Sequence, residues 1–302
     1  MPAERGPSAG GPAAGAVPDS SARVVTSGAP ALPTTRQGAY GSSLALELDP
    51  ALRVPLGELL LGLADDEFVL GFLDSEWTGI APILEEDVAM SSIAQDELGH
   101  ARALYELLGA LTGRDPDAIA YDRPAESFRH ARLLDHPRTD WAVTIARRWL
   151  YDTADAARLE SLAGTGFRPL ADLVAKIRRE ETYHLLHAAA WLRRLATAGG
   201  EARDRLVGAL ERLLPDAPSV LAPPPGQAEL LAGGLLVEPF ETVHERWADA
   251  ARAALDELGL PSAIGPPEAD WQRARPADRP AAFHWLYGEF TSVRRIDPEA
   301  TW

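Results

Sequence analysis

At 302 residues and 46% hydrophobic content, the chain carries enough apolar material to bury a substantial core. Its formal charge of -16 and pI ≈ 4.9 argue against nucleic acid or an anionic membrane surface as a partner, because both demand clustered cations. It has no cysteine, which excludes disulfides, thiolate zinc sites and iron–sulfur clusters and leaves Asp, Glu and His to hold any metal.

Residues 1–42 are rich in Pro, Gly, Ala and Ser, with neither hydrophobic periodicity nor an apolar run long enough for a secretory leader. They are expected to form a disordered tail on a cytoplasmic protein whose residues 43–302 make one helical domain. The first periodic stretch, from about Leu56 to Thr78, sets Leu59, Leu60, Leu63, Phe68, Leu70 and Phe72 beside the acids Asp65, Asp66 and Glu67. For Asp65 and Asp66 a solvated face is as good a reading as a buried role. A second helix follows Pro82, has Glu85, Glu86 and Asp87 in its first turn where negative charge suits a helix N-terminus, and runs to about Thr112.

The next connection, Gly113 to about Arg138, holds Tyr121 and Phe128 and is too long for a hairpin, so it reads as a crossover. The third helix spans about Thr139 to Ala163, with Trp141, Ile145, Trp149, Leu150 and Leu159 as its apolar side and Asp152 and Asp155 on turns that otherwise read as buried. A fourth helix, about Leu170 to Ala198, carries Glu181, His184 and His187. Past Gly199 come a shorter helix to about Leu214, a proline-rich loop through Pro225, a helix from about Pro239 to Leu258 and a last one near Ala281 to Val293; no membrane span or repeat is visible. The expected fold is an all-α, ferritin-like four-helix bundle with a long crossover between its second and third helices and accessory C-terminal helices.

Chemistry enters with Glu97-Leu98-Gly99-His100, which puts a carboxylate and an imidazole on one helix face, and with a second copy, Glu181-Thr182-Tyr183-His184. In four-helix carboxylate proteins that bind two irons, two such pairs are joined by one carboxylate from each of the other two helices. Hairpin register supplies those carboxylates. About fifteen residues separate Glu97 from the Gly79-Ile80-Ala81-Pro82 turn, and a similar distance on its other side stands Glu67, so both reach one level roughly 20 Å above the turn. From Glu181, across the Gly164 to Pro169 turn, the same operation reaches Asp152, with Asp155 one turn on as its local rival. A third match, Glu241-Thr242-Val243-His244, fails the test because Pro215, Pro218 and Pro223 to Pro225 break its hairpin, so His244 reads as a surface or packing residue.

Six ligands are therefore expected: Glu67, Glu97 and His100 on one metal, and Asp152, Glu181 and His184 on the other, with Glu97 and Glu181 as bridges. Their oxygen and nitrogen donors suit non-haem iron or manganese, and four carboxylates balance two ferrous ions. Asp96 and Glu180 are placed to accept the outer ring N–H of the opposite pair's histidine. His187 could join them or simply pack.

The run Leu73-Asp74-Ser75-Glu76-Trp77-Thr78-Gly79-Ile80-Ala81-Pro82-Ile83-Leu84-Glu85-Glu86-Asp87 is followed by Ser92 to Arg102, Trp149-Leu150-Tyr151-Asp152, Glu180 to His184 and the terminal Pro298-Glu299-Ala300-Thr301-Trp302. Together these resemble the phenylacetic acid catabolic protein family, from about residue 55 to the C-terminus, and most of all its C-type members. The resemblance implies one component of a multicomponent di-iron monooxygenase that epoxidises the ring of phenylacetyl-CoA with O2. It also implies a homologous catalytic A-type partner, a small accessory partner, and a reductase supplying electrons from NADPH. C-type chains are regarded as partners whose metal site has decayed, and the six ligands kept here depart from that pattern. Two other readings stay open: a chain that is itself a catalytic di-iron oxygenase, and a stand-alone ferroxidase. The pairs Arg147-Arg148, Arg178-Arg179 and Arg193-Arg194 could meet the phosphates of an acyl-CoA, or could be solvated.

Overall fold

The computed structural model describes residues 48–297; the tail expected over 1–42 and the terminal Pro298 to Trp302 run lie outside the described residues. All regular elements among the described residues are helical. Helix α1 (Pro50–Ser75) starts on the Asp49 carboxylate, which accepts from the Ala51 N–H, with Pro50 in its first turn where a missing N–H costs nothing. Helix α2 (Leu84–Thr112) returns antiparallel to it. The turn between them is closed by Asp87, whose Oδ1 accepts the N–H groups of Gly79 and Ala81 at 2.9 and 3.0 Å; Gly79 takes a φ of 83° that other residues resist. One of the three N-terminal acids of α2 thus sets the turn that puts Glu67 and Glu97 in register.

The crossover contains a short helix α3 (Pro116–Tyr121) and two 3-10 turns, Ala125–Ser127 and Arg132–Asp135. Asp65 and Asp66 of α1 pin it: Asp65 accepts the Arg129 N–H at 2.6 Å and Asp66 the Ala131 N–H at 2.7 Å. Both aspartates are fully buried, which settles the solvated-face alternative against itself. The second hairpin is α4 (Trp141–Leu162), capped by Asp140, and α5 (Arg168–Ala198). The four long helices make the ferritin-like bundle, with expected and observed ends agreeing to within a turn except at the start of α1, where Pro55 lies inside the helix.

Behind the bundle lie α6 (Gly200–Leu213), α7 (Gln227–Ala232), α8 (Phe240–Glu257), the four-residue α9 (Trp271–Ala274) and α10 (Ala281–Ile296). The sequence reading misses α7 and α9, which are too short to show a period. Phe290 of α10 and Phe128 of the crossover close over Phe68 with centroids 5.0 and 6.3 Å away, so this flank of α1 is an aromatic layer. Among the described residues, no helix is long and apolar enough to cross a membrane.

Candidate metal centre

The site forms where all four long helices face inward. Gly71 of α1 permits it: a Cβ there would lie 2.9 Å from Leu98 Cγ and 3.1 Å from Glu97 Cβ, so glycine lets α2 bring Glu97 against α1. Ligating atoms of Glu67, Glu97, His100 and Glu181, all buried, lie within 4.8 Å of one another. His100 Nδ1 is 3.2 Å from Glu67 Oε2, 3.4 Å from Glu181 Oε1 and 3.8 Å from Glu97 Oε2. His184 Nδ1 is 3.0 Å from Glu181 Oε1 and 3.3 Å from Glu97 Oε1. Glu97 and Glu181 are the two carboxylates that approach both rings.

Each imidazole is tied on its far side to the opposite hairpin. His100 Nε2 donates to Glu180 Oε2 at 2.8 Å, and His184 Nε2 donates to Asp96 Oδ2 at 3.4 Å. With the outer proton held by a carboxylate, the inner nitrogen can turn a lone pair toward a cation. Tyr151 Oη donates to Glu67 Oε1 at 2.8 Å, which fixes that carboxylate with its other oxygen facing His100.

The electrostatics are those of acids crowded together out of water. Burial first, then the neighbouring Glu97, raises Glu67 well above the usual carboxylate range. Burial would raise Glu97 too, but Arg148, with help from the histidines, holds it well below. Burial would lower both imidazoles; hydrogen bonds and charge from Glu67 and Glu97 instead push His100 up to about 12, and Glu181 and Glu97 push His184 up to about 11. Protons and a divalent cation are alternative ways to neutralise such a cluster.

Asp152 is buried at the same level but outside the four-residue group, facing Arg148 one turn before it on α4. Arg148 is fully buried: its Nη1 donates to Asp74 Oδ2 at 2.7 Å and to Glu97 Oε1 at 2.6 Å, and its Nη2 lies 3.1 Å from Asp152 Oδ1. Burial, reinforced by Glu181 and Glu97 and only partly offset by Arg148, raises Asp152 well above its usual range. Asp155, the register rival, is bound instead by Arg158 at 2.5 Å. His187 Nε2 donates to Glu86 Oε2 at 2.6 Å and does not reach the cluster. His244 is buried beside Trp247, ring centroids 5.5 Å apart, away from any acid cluster, and is a packing residue.

Sequence reasoning missed Arg148, Asp74 and Tyr151. The signals were an arginine four residues before Asp152 and an acid seven residues after Glu67, each on the inward face of its helix. Burial of Arg147 and Arg148 also removes them from the mouth of any acyl-CoA site, whereas Arg178, Arg179, Arg193 and Arg194 are exposed.

The donors fit one divalent cation. Glu97 Oε2 is buried with no hydrogen-bond partner, next to His100 Nδ1, and carboxylate and imidazole donors without thiolate suit iron or manganese. On the other side, the Glu97 oxygen nearest His184 accepts from the Arg148 guanidinium, and Asp152 beyond it lies 3.1 Å from the same group.

A family model described as "Phenylacetic acid catabolic protein" matches residues 47–302. The C subunit of the Escherichia coli (strain K12) 1,2-phenylacetyl-CoA epoxidase is 30% identical over 201 residues, which cover 66% of this chain and 81% of that protein. The A subunit of the same epoxidase is 23% identical over 198 residues, covering 64% of this chain and 63% of that protein.

Proposed function

The chain belongs to the phenylacetic acid catabolic protein family, and we propose that it is the C-type subunit of a multicomponent oxygenase that epoxidises the aromatic ring of phenylacetyl-CoA. In this reading it assembles with a homologous A-type partner that performs the oxygen chemistry, with a small accessory partner, and with a reductase that passes on electrons from NADPH. Identity to the C-type relative exceeds identity to the A-type relative and extends over a larger share of it, which favours the C-type role.

Arg148 is the observation that carries the division of labour. Activation of O2 at a dinuclear centre needs two ions with open positions, and here Glu97 and Asp152 each turn an oxygen to a guanidinium that cannot change oxidation state or release a position. Access points the same way. The cluster residues are buried, and neither a cavity of about 240 Å³ between α1, the crossover and α10, lined by Leu73, Glu76, His136, Phe283 and Leu286 among others, nor an open hollow beside the first hairpin turn, lined by Thr78, Asp87, Ser91 and Gln95 among others, is lined by any of the six. Ile80, Ile83, Leu84 and Val88 stand exposed together at the tip of the first hairpin, an apolar surface suited to contact with a partner chain.

Reconstitution tests this directly. Purified alone with reductase and NADPH, the chain should not consume phenylacetyl-CoA; with the A-type partner added it should. Glu181→Ala in this chain should leave product formation within a few fold provided the complex still assembles, while the equivalent change in the partner should abolish it. The opposite pattern would make this chain the oxygenase.

A further inference from the structure

We propose that the Arg148 guanidinium takes the place that a dinuclear centre gives its second ion, leaving a mononuclear site for one divalent cation on Glu67, Glu97, His100 and Glu181. The argument rests on how Glu97 is divided. Its Oε1 accepts from Arg148 at 2.6 Å and its Oε2, which accepts no hydrogen bond, faces His100. A bridging carboxylate gives one oxygen to each of two cations, and here one of the two is covalently part of the chain.

The guanidinium sits on the correct side to do this. Glu97 Oε1 is also the oxygen that His184 Nδ1 approaches at 3.3 Å, and Arg148 Nη2 continues to Asp152, so the arginine spans the ligands expected for the second metal. Its third anchor, Asp74, lies outside the ligand set and holds the head group from behind. A metal ion forced in beside it would share a carboxylate oxygen with a fixed positive charge a few ångströms away, with no water to screen the repulsion. On the other side, Glu67 is oriented by Tyr151, and His100 by Glu180, so three elements hold donors for a single ion without help from Asp152 or Arg148. Because arginine stays protonated under all ordinary conditions, this half of the site keeps its cation whatever the metal supply.

The test is metal stoichiometry and spin state on the full chain, using Mn²⁺ added to chelator-treated protein. Wild type should bind about one ion with the spectrum of an isolated Mn²⁺ in electron paramagnetic resonance, as expected for a single site of carboxylate and imidazole donors. Glu67→Gln should lose it, whereas Asp152→Asn should retain it at similar affinity. Arg148→Gln should admit a second ion and show exchange coupling between the pair; Arg148→Lys, which keeps the charge, should not. If Arg148→Gln does not fold, the Glu67 and Asp152 variants still decide. About two ions in wild type, or loss of the ion in Asp152→Asn, would overturn the proposal.

Discussion

Asp65, Asp66 and Glu67 follow one another on α1, yet the helix turns them into two kinds of buried environment. Asp65 and Asp66 face cations that belong to the fold. Arg123 binds Asp65 at 2.5 Å, and Arg158 and Arg275 bind Asp66 at 2.8 and 2.7 Å, so arginines from the crossover, α4 and the chain after α9 converge on them. Burial would raise Asp66, but Arg275 and Arg158 outweigh it and hold it below its usual range. Glu67, one residue on, meets other carboxylates and an imidazole, and is driven the opposite way. The first region is complete as a closed ionic network that ties distant segments together. In the second, Arg148 answers Glu97 and Asp152 alone, and the remaining balance is left to exchangeable protons on the acids and imidazoles or to a cation in their place, which separates a closed network from an open one.

The sharpest way to break this comparison is to remove a cation from the closed network. Arg158→Met leaves Asp66 and Asp155 without their shared partner, and should cost about 3–5 kcal/mol in urea unfolding. A loss below about 1 kcal/mol would mean the network is not a structural keystone. The open cluster should respond to metal instead. At a hundred times its dissociation constant, Mn²⁺ should stabilise the wild-type chain by about 2.7 kcal/mol, and should do nothing for Glu67→Gln. Equal stabilisation of both proteins would place the ion elsewhere.

How much of this contrast could be read in the sequence depended on range. The two Glu-x-x-His pairs and the level of Glu67 follow from helix period and turn position, which are local, and the bundle built on them followed as well. The sorting of Asp65, Asp66 and Asp155 did not, because their partners Arg123, Arg158 and Arg275 are brought in by the crossover and the C-terminal segments, whose course no periodicity announces. Arg148 was hidden differently. It lies next to Arg147 in a chain whose positive charge is almost all arginine, and a paired arginine ordinarily signals solvent, not a core position with no exposure at all.

A smaller effect tests the spacing that defines the open cluster. Gly71→Ala should cost about 1–3 kcal/mol in thermal unfolding, because the methyl would displace Leu98 and Glu97, and it should weaken Mn²⁺ binding; Gly57→Ala, where the new carbon would find Leu108 at 3.7 Å, should do neither. The smallest concerns a buried titratable group in neither region. Burial, followed by Arg252, lowers His244 to about 4. The unfolded chain takes up this proton below about pH 6.5 while the native chain resists until about 4, so stability falls as pH falls through that interval. His244→Leu should flatten that slope by about 1 kcal/mol, read from unfolding at pH 6.5 and 4.5.

The histidine bridges across the seam between α2 and α5 have a mechanical consequence. His100 reaches Glu180, His184 reaches Asp96 and His187 reaches Glu86, so three rungs, each ending in a carboxylate of the facing helix, join the two hairpins on this side. Two of the rungs are levers: the inner nitrogen of the ring senses what occupies the centre, and the outer nitrogen grips the neighbouring helix. A cation held by the inner nitrogen would strengthen the Nε2 proton as a donor and so would tighten the grip. Loading the centre would therefore latch the seam, and on addition of Mn²⁺ amide hydrogen exchange along α2 and α5 should slow most around Asp96 and Glu180, where the latch would close, and least at the far ends of the same helices.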